Sequence, residues 1–138
     1  MINVLQGGHV QDSFPITAGQ TFTPGQVGEV QTTGAVSVAT GASTKVKGLF
    51  VETAPSAGSY DETSGNSKAT LVIGEAVVET DQLTSGITFS PTNQVYHDSS
   101  GKLTTSGALT EAVGQALNDS SSNGVLRMFW YGLRSGVV

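Results

Sequence analysis

The sequence predicts an all-β fold, arranged as a single-domain β-sandwich or barrel. The chain of 138 residues carries 18 glycines and only 12 % charged residues, and serine and threonine fill the spaces between short apolar runs. That composition is typical of a β protein rich in turns. The apolar segments recur with turn residues between them, which is the pattern of a sandwich or a barrel. A chain of this length can bury a core as one domain.

The first part of the chain, residues 1–26, is predicted to form an extended arm or an irregular segment rather than core strands. It carries two of the four prolines and shows little hydrophobic periodicity. The β domain is then expected to occupy residues 27–138. It opens with VGEVQTTGAVSVAT, two short alternating runs around Thr32-Thr33-Gly34, which predict a hairpin with Gly34 at a backbone angle that favours glycine.

Two strands are predicted next, separated by a long acidic loop. KVKGLFVET alternates in hydrophobicity, and Gly48 stands where a β-bulge would shift its register. The loop APSAGSYDETSGNS, residues 54–67, has a length that is typical of functional loops. KATLVIGEAVVET is the strongest strand pattern in the chain, because Leu71 and Ile73 share one face before Gly74 interrupts the run.

The last third of the chain adds short segments of the same kind. In TEAVGQALN, Thr110 is a possible helix cap, but Gly114 lowers the helix propensity and a strand is predicted. RMFWYGL places three aromatic residues in succession. On a strand, Phe129 and Tyr131 face one way and Trp130 faces the other. The pattern leaves open whether both faces pack in a core or one docks on a partner.

Two stretches of the chain echo each other faintly. FTP at residues 22–24 leads into a run that ends at Gly34, and FSP at residues 89–91 leads into a run that ends at Gly101. Two similar hairpins would explain the match. The match is too short to establish a duplication.

Charge and cysteine content exclude several classes of function. The net charge of −5 and the scattering of the six basic residues argue against nucleic acid as a partner, because nucleic acid binds clustered basic faces. The absence of cysteine excludes disulfides, a thiol nucleophile and thiolate metal sites. No segment approaches the roughly 20 apolar residues of a membrane-spanning helix, and the N-terminal residues lack a signal-peptide pattern, so no membrane association is expected.

The stretch VYHDSSGKLTTS, residues 95–106, carries the residue types of a hydrolytic triad without its geometry. His97 and Asp98 are neighbours on a predicted strand and therefore point to opposite faces, while Ser99 and Ser100 fall in the turn that follows. NDSSSNG, further along, mimics the start of a calcium loop but lacks its final glutamate, so a hairpin loop is predicted. We therefore expect no catalytic residue, no cofactor and no metal ligand, and the protein is not expected to be an enzyme.

The order of these segments resembles the capsid cement, or decoration, proteins of tailed bacteriophages. The resemblance rests on KVKGLFVETA, ATLVIGEAVVETDQL, VYHDSSGKLTT, AVGQAL and GVLRMFWYGL, which together span about residues 45–131. It implies a β-sandwich or a tulip-like, jelly-roll barrel that binds the outer surface of an assembled shell and clamps neighbouring major capsid subunits, often as a dimer or trimer. The family's N-terminal arm, which adds a strand to a capsid subunit's sheet, would correspond to about residues 1–24.

The expected function is therefore structural. The protein would be made in the host cytoplasm and lie on the exterior of the capsid in the virion, with the major capsid protein and further copies of itself as partners. The arm and the aromatic strand would supply the contacts. These candidate contact residues are Ile2, Val4, Leu5, Val10, Phe14, Phe129, Trp130 and Tyr131.

Two alternatives come from other classes of protein. The first is a carbohydrate- or ligand-binding β module of a phage tail or cell surface, in which aromatic side chains stack on a sugar. Its platform would consist of Tyr60, Tyr96, Trp130 and Tyr131. The second is a small hydrolase that uses Glu75, Glu79 or His97.

Overall fold

The computed structural model describes residues 1–7, 11–17, 19–40, 47–51, 68–106 and 112–132, and it is all-β over these ranges. The eleven strands are β1 (Ile2–Gly7), β2 (Gln11–Pro15), β3 (Val27–Val30), β4 (Val36–Val38), β5 (Lys47–Phe50), β6 (Lys68–Val72), β7 (Ala76–Thr80), β8 (Gln94–His97), β9 (Leu103–Thr104), β10 (Gly114–Ala116) and β11 (Leu126–Trp130). The predicted fold class is confirmed. Within these ranges there is no helix of the length and apolarity that crossing a membrane requires.

The strands form two antiparallel sheets. The five-stranded sheet has the order β2-β6-β5-β3-β4, and the six-stranded sheet has the order β1-β7-β11-β10-β8-β9. In the five-stranded sheet, an isolated parallel bridge joins Ile16, which follows β2, to Val36 on β4 at the far edge. In the six-stranded sheet, the corresponding bridge joins Leu83, which follows β7, to Leu103 on β9 at the far edge. Each sheet therefore curls back on itself, and β1 is an additional strand outside the second curl.

Two clusters of buried side chains form the core. The larger lies around Trp130 and Met128 of the six-stranded sheet and Phe89 in the connection between β7 and β8, and Leu49 and other residues of the five-stranded sheet join it. The smaller cluster lies on the other face of the five-stranded sheet. The five-stranded sheet is thus apolar on both faces, one of which packs against the second sheet. Two sheets packed face to face are consistent with a β-sandwich.

The N-terminal residues form strands, which corrects the expectation of an arm or irregular segment up to residue 26. β1 pairs with β7 and β2 pairs with β6, both antiparallel. Ile16 and Phe22 are also buried, with 1 % and 5 % of their surface exposed. The periodicity was absent because edge strands are held by backbone hydrogen bonds with little burial of side chains; β1 has one half-buried residue and five exposed ones.

The bulge predicted at Gly48 is wrong. Gly48 lies directly opposite Gly28 in an uninterrupted antiparallel register. A β-carbon on Gly48 would lie 2.9 Å from Cβ of Leu71, and one on Gly28 would lie 2.6 Å from Cζ of Phe50. The two glycines are therefore needed for close packing under large side chains. Without a bulge, Lys47 and Leu49 share the face that points to the second sheet.

Several other predictions are confirmed. β3 and β4 form the predicted hairpin, with Gly34 at a φ of 87°. The single strand predicted over KATLVIGEAVVET is instead two strands, β6 and β7, and Gly74 lies where the chain passes from one sheet to the other. The segment around Gly114 is a strand, and β8 and β9 form the second of the two similar hairpins. Thr110 and the loop at residues 54–67 lie outside the described residues.

Candidate functional site

The N-terminal edge, which we define as Met1 to Gly7, concentrates exposed apolar side chains. Of the four large hydrophobic residues that are exposed in the described ranges, three are here: Met1, Val4 and Leu5, with 37 %, 38 % and 44 % of their surface exposed. β1 pairs on one side with β7, and its register shifts between Val4 and Gln6. Leu5 is the extra residue of this bulge, and bulges at sheet edges redirect side chains.

The start of the N-terminal edge is tied to the domain. The terminal amino group of Met1 donates hydrogen bonds of 2.9 Å to the carbonyl of Pro24 and to Oδ1 of Asp81. The hydrogen bond from this ammonium group is the main reason why the pKa of Asp81 lies below its usual value. Ile2 is half-buried and packs against the larger core cluster. The edge therefore presents its apolar side chains on an ordered strand.

The aromatic strand divides its side chains as predicted. Trp130 is fully buried in the larger core cluster. Phe129 and Tyr131 share the opposite, outer face, with ring centroids 5.8 Å apart in an edge-to-face arrangement. The hydroxyl of Tyr131 donates a 3.0 Å hydrogen bond to Oε1 of Gln94 on β8. Trp130 is therefore removed from the candidate contact residues, because none of its surface is accessible.

The remaining candidate contact residues differ in their placement. Phe14 is half-buried and packs against the smaller core cluster, so most of its surface already serves the fold. Val10 lies outside the described residues. The sugar-stacking platform is not assembled as expected: Trp130 is in the core and Tyr60 lies outside the described residues, which leaves Tyr96 and Tyr131 half-buried on the outer face.

A buried polar cluster, which sequence reasoning missed, joins the two sheets. It consists of Glu29 on β3, Lys47 on β5 and His97 on β8, with 3 %, 7 % and 4 % of their surface exposed. Glu29 and Lys47 are opposite each other in the strand register. Nζ of Lys47 lies 2.6 Å from Nε2 of His97. The sequence does contain a signal for the burial of Lys47, since it is two residues from Leu49 on a strand and shares its face. The bulge predicted at Gly48 would have placed the two side chains on opposite faces.

The hydrogen bonds of this cluster define the state of His97. An ammonium group can only donate, so Nε2 of His97 accepts the hydrogen bond from Lys47, and Nδ1 carries the proton that it donates to the carbonyl of Asp98 at 2.8 Å. Burial lowers the pKa of His97; the bond to the Asp98 carbonyl opposes this effect, and the charge of Lys47 adds to it. His97 is thus a neutral acceptor that connects the sheets.

The carboxylate of Glu29 completes the polar cluster. Its Oε1 accepts hydrogen bonds from Nε2 of Gln31 at 3.2 Å and from Oγ1 of Thr40 at 3.5 Å. These groups and the Lys47–His97 pair lie where the two sheets meet. The hydrogen bonds described for His97 occupy both ring nitrogens with Lys47 and a backbone carbonyl. Both nitrogens are therefore engaged in structural contacts.

The triad-like stretch after β8 is a turn, as predicted. Oδ1 of Asp98 accepts backbone hydrogen bonds from Ser100 at 2.8 Å and Lys102 at 3.0 Å, and Oδ2 accepts one from Oγ1 of Thr84 at 2.6 Å. Burial alone would raise the pKa of Asp98, but these hydrogen bonds lower it below its usual value. Gly101 follows at a φ of 74°. The aspartate therefore stabilises the hairpin.

The polar loop after β10 is also a hairpin connection, as predicted. Oδ1 of Asp119 accepts a 2.8 Å hydrogen bond from the backbone of Ser121, which is turn geometry.

The carboxylate of Glu79 on β7 is paired with Arg127 on β11 at 3.2 Å. In the part of the chain that the structure describes, no three histidine or carboxylate side chains come together as a metal site.

Comparison with known proteins adds no family to these observations. No protein-family model matches the chain, and no curated protein matches it.

Proposed function

We propose that this protein is a structural virion protein that binds the outer surface of a phage capsid and clamps neighbouring major capsid subunits. The observation that carries the proposal is the N-terminal edge, where Met1, Val4 and Leu5 are exposed on one ordered edge strand. The order of sequence segments that resembles capsid decoration proteins supports the same function.

An edge strand of this kind is suited to binding another protein. Its outward backbone groups can pair with a strand of a partner, and pockets on the partner can receive the side chains of Val4 and Leu5. Natural proteins usually protect such edges with charged residues, proline or a β-bulge; Ile2 to Gly7 contains no charged residue and no proline, and its bulge lies at Leu5. An apolar edge that carries no charged residue fits an edge that is covered by a partner.

Several ionisable side chains of the described residues are engaged in hydrogen bonds of the fold. The single described histidine is engaged on both ring nitrogens, and Asp98 and Asp119 accept turn hydrogen bonds. Repetition over a shell multiplies weak contacts through avidity, so a capsid-binding protein needs contact area more than perturbed ionisable groups.

The test is binding to assembled capsids of the virus that encodes the protein. We expect Leu5→Asp, and more strongly Val4→Asp with Leu5→Asp, to weaken binding by about tenfold or more, because a charge would enter an apolar contact. The matched control is Leu117→Asp, since Leu117 is equally exposed at 45 % and lies after β10. Unfolding curves establish that each variant is folded.

Two outcomes would contradict this proposal. The first would be that the folded wild-type protein does not co-sediment with the capsids. The second would be that the Leu5 and Leu117 variants lose binding to the same extent. The second outcome would remove the N-terminal edge as the contact.

A further inference from the structure

The two halves of the chain have the same strand topology. Residues 11–72, the first unit, contain β2 to β6, and residues 76–130, the second unit, contain β7 to β11. In chain order, the strands of each unit are arranged first-fifth-fourth-second-third across the sheet. The isolated bridges also correspond, because Ile16 and Val36 in the first unit become Leu83 and Leu103, each 67 residues later. β1 belongs to neither pattern.

Loop contacts repeat with the same spacing. The backbone N–H of Thr17 donates to the carbonyl of Val36 at 2.9 Å, and that of Thr84 donates to Leu103 at 2.8 Å. The two prolyl turns also match, with Gln26 bonded to Thr23 and Asn93 bonded to Ser90, both at 3.1 Å. Residues with positive φ recur in pairs: Gly19 and Gly86, Gly25 and Thr92, Gly34 and Gly101. Chance similarity of two sheets would not reproduce these loop details.

The core side chains correspond as well. The strand registers and the 67-residue spacing equate the six buried residues of the smaller cluster with five buried residues of the larger cluster and with Leu83, which is half-buried and packs against it. The matched pairs are Ile16 with Leu83, Phe22 with Phe89, Val36 with Leu103, Phe50 with Ala116, Ala69 with Leu126, and Leu71 with Met128. Gly28 corresponds to Val95, so a glycine beside Phe50 is replaced by a valine beside Ala116. The interiors of the two units are thus filled by different combinations of large and small side chains.

The first unit uses its outer face to bind the second unit. Val27, Leu49 and Val72 lie side by side across β3, β5 and β6 on this face, and all three have no exposed surface. The backbone of Val27 donates a 2.8 Å hydrogen bond to the carbonyl of Gly101 in the turn of the second unit. A β-carbon on Gly101 would lie 2.7 Å from Cγ1 of Val38. The outer face of the first unit therefore packs against the turn at Gly101 of the second unit.

The corresponding surfaces at the two ends of the chain are accessible. On the second unit, the row equivalent to Val27, Leu49 and Val72 is Gln94, Gln115 and Phe129, which is exposed or half-buried. On the first unit, the turn equivalent to the one at Gly101 is residues 31–34. In the described part of the chain, nothing lies within 4 Å of a β-carbon built on Gly34. The described residues thus leave uncovered a face and a turn that match those of the internal contact.

We propose that the outer face of the second unit binds the 31–34 turn of a second copy of this chain. The contact would repeat the one between the two units within the chain. Two different surfaces meet in such a contact, so association is head-to-tail and produces a closed ring or a filament. The positions equivalent to Lys47 and His97 are Val113, which is buried in the larger core cluster, and Val30, which is half-buried, so the contact would not repeat the Lys47–His97 hydrogen bond.

The first test is the mass of the isolated protein in solution, measured by sedimentation over a range of concentrations up to the millimolar range. We expect association beyond the monomer, and we expect Thr33→Arg and Gln115→Arg each to raise the concentration needed by about tenfold or more. Ser122→Arg, an exposed position in the loop between β10 and β11, is the control and should associate as the wild type does. A monomer at every concentration, or association that neither variant weakens, would overturn the proposal.

A second test reads the geometry directly. The chain has no cysteine, so thiols can be introduced at Thr33 and at Asn93, the equivalents of Ser100 and Gln26, which are joined by a 3.1 Å hydrogen bond in the internal contact. A short bismaleimide should give a ladder of covalent oligomers with Thr33→Cys plus Asn93→Cys and only monomers with either single variant. Equal cross-linking of Thr33→Cys alone would show a symmetric contact and overturn the proposal. Neither test uses capsids, so each is independent of the proposed function.

Discussion

Replacing Phe50 by alanine and Gly28 by valine would give the first unit the side chains that the second unit has at Ala116 and Val95. Phe50 has no exposed surface, and its ring stacks on Phe22 with centroids 3.8 Å apart. Phe50→Ala alone should cost about 3–5 kcal/mol, because it removes a buried ring and leaves a cavity. Gly28→Val alone places a β-carbon 2.6 Å from Cζ of Phe50, and overpacking of this kind should cost about 1–3 kcal/mol or more.

The double variant should be more stable than Phe50→Ala alone. The valine would enter the space that the ring leaves, so the clash disappears and burial of the valine contributes about 1.5–3 kcal/mol. The backbone at Gly28 does not have a positive φ, so valine fits it, and valine favours strands. The two changes should therefore couple by about 3 kcal/mol, in the favourable direction.

The free energy of unfolding in urea, extrapolated to water, measures this coupling for the wild type, the two single variants and the double variant. A control pair, Phe50→Ala with Ser122→Val, should be additive because Ser122 is exposed in a distant loop. If the Gly28 and Phe50 changes are additive within about 0.5 kcal/mol, the matching of the two cores is refuted.

Three further predictions concern single sites. The unfolded state binds a proton at His97 more readily than the folded state does, because burial lowers its folded pKa; stability should fall as the pH drops below 6.5, and His97→Gln should flatten this dependence. Trp130, the one tryptophan in the chain, is fully buried, so its native fluorescence should be blue-shifted and resistant to iodide. Thr92 has a φ of 75° where the first unit has Gly25, so Thr92→Gly should stabilise the fold by about 0.5–1 kcal/mol, measured by urea unfolding.

Each of these predictions has a result that contradicts it. An unchanged pH dependence in His97→Gln would place the titration at another group. Emission of Trp130 at the wavelength of free tryptophan would contradict its burial. A destabilised Thr92→Gly variant would mean that the side chain of Thr92 contributes more than its backbone angle costs.

The parts of the fold that the sequence predicts are those decided by neighbouring residues. Alternation places Trp130 and Tyr131 on opposite faces, and the Asp98 turn follows from its local hydrogen bonds. The edge strand β1 was missed because pairing with β7 uses backbone groups, which have no side-chain signature. Gly48 was misinterpreted because its reason is the side chain of Leu71 on another strand.

The candidate sites, like the fold, are predictable where neighbouring residues decide them and not where distant residues do. Val4 and Leu5 were named from the sequence, and the structure adds that they lie at a sheet edge and share the exposed apolar surface of the described residues with Met1 and Leu117. The polar cluster was not predictable, since Lys47 and His97 meet through the packing of two sheets. The repeated topology has little signature in the sequence, because large and small residues exchange places between the two cores.

The proposal that the protein is a structural component on the outside of a phage head can be tested with purified virions of the phage that would encode it. We expect the virions to contain the protein and their outer surface to show regular density for it at repeated positions between capsid subunits. Virions that lack the protein, or hold it only inside the shell, would rule out this function.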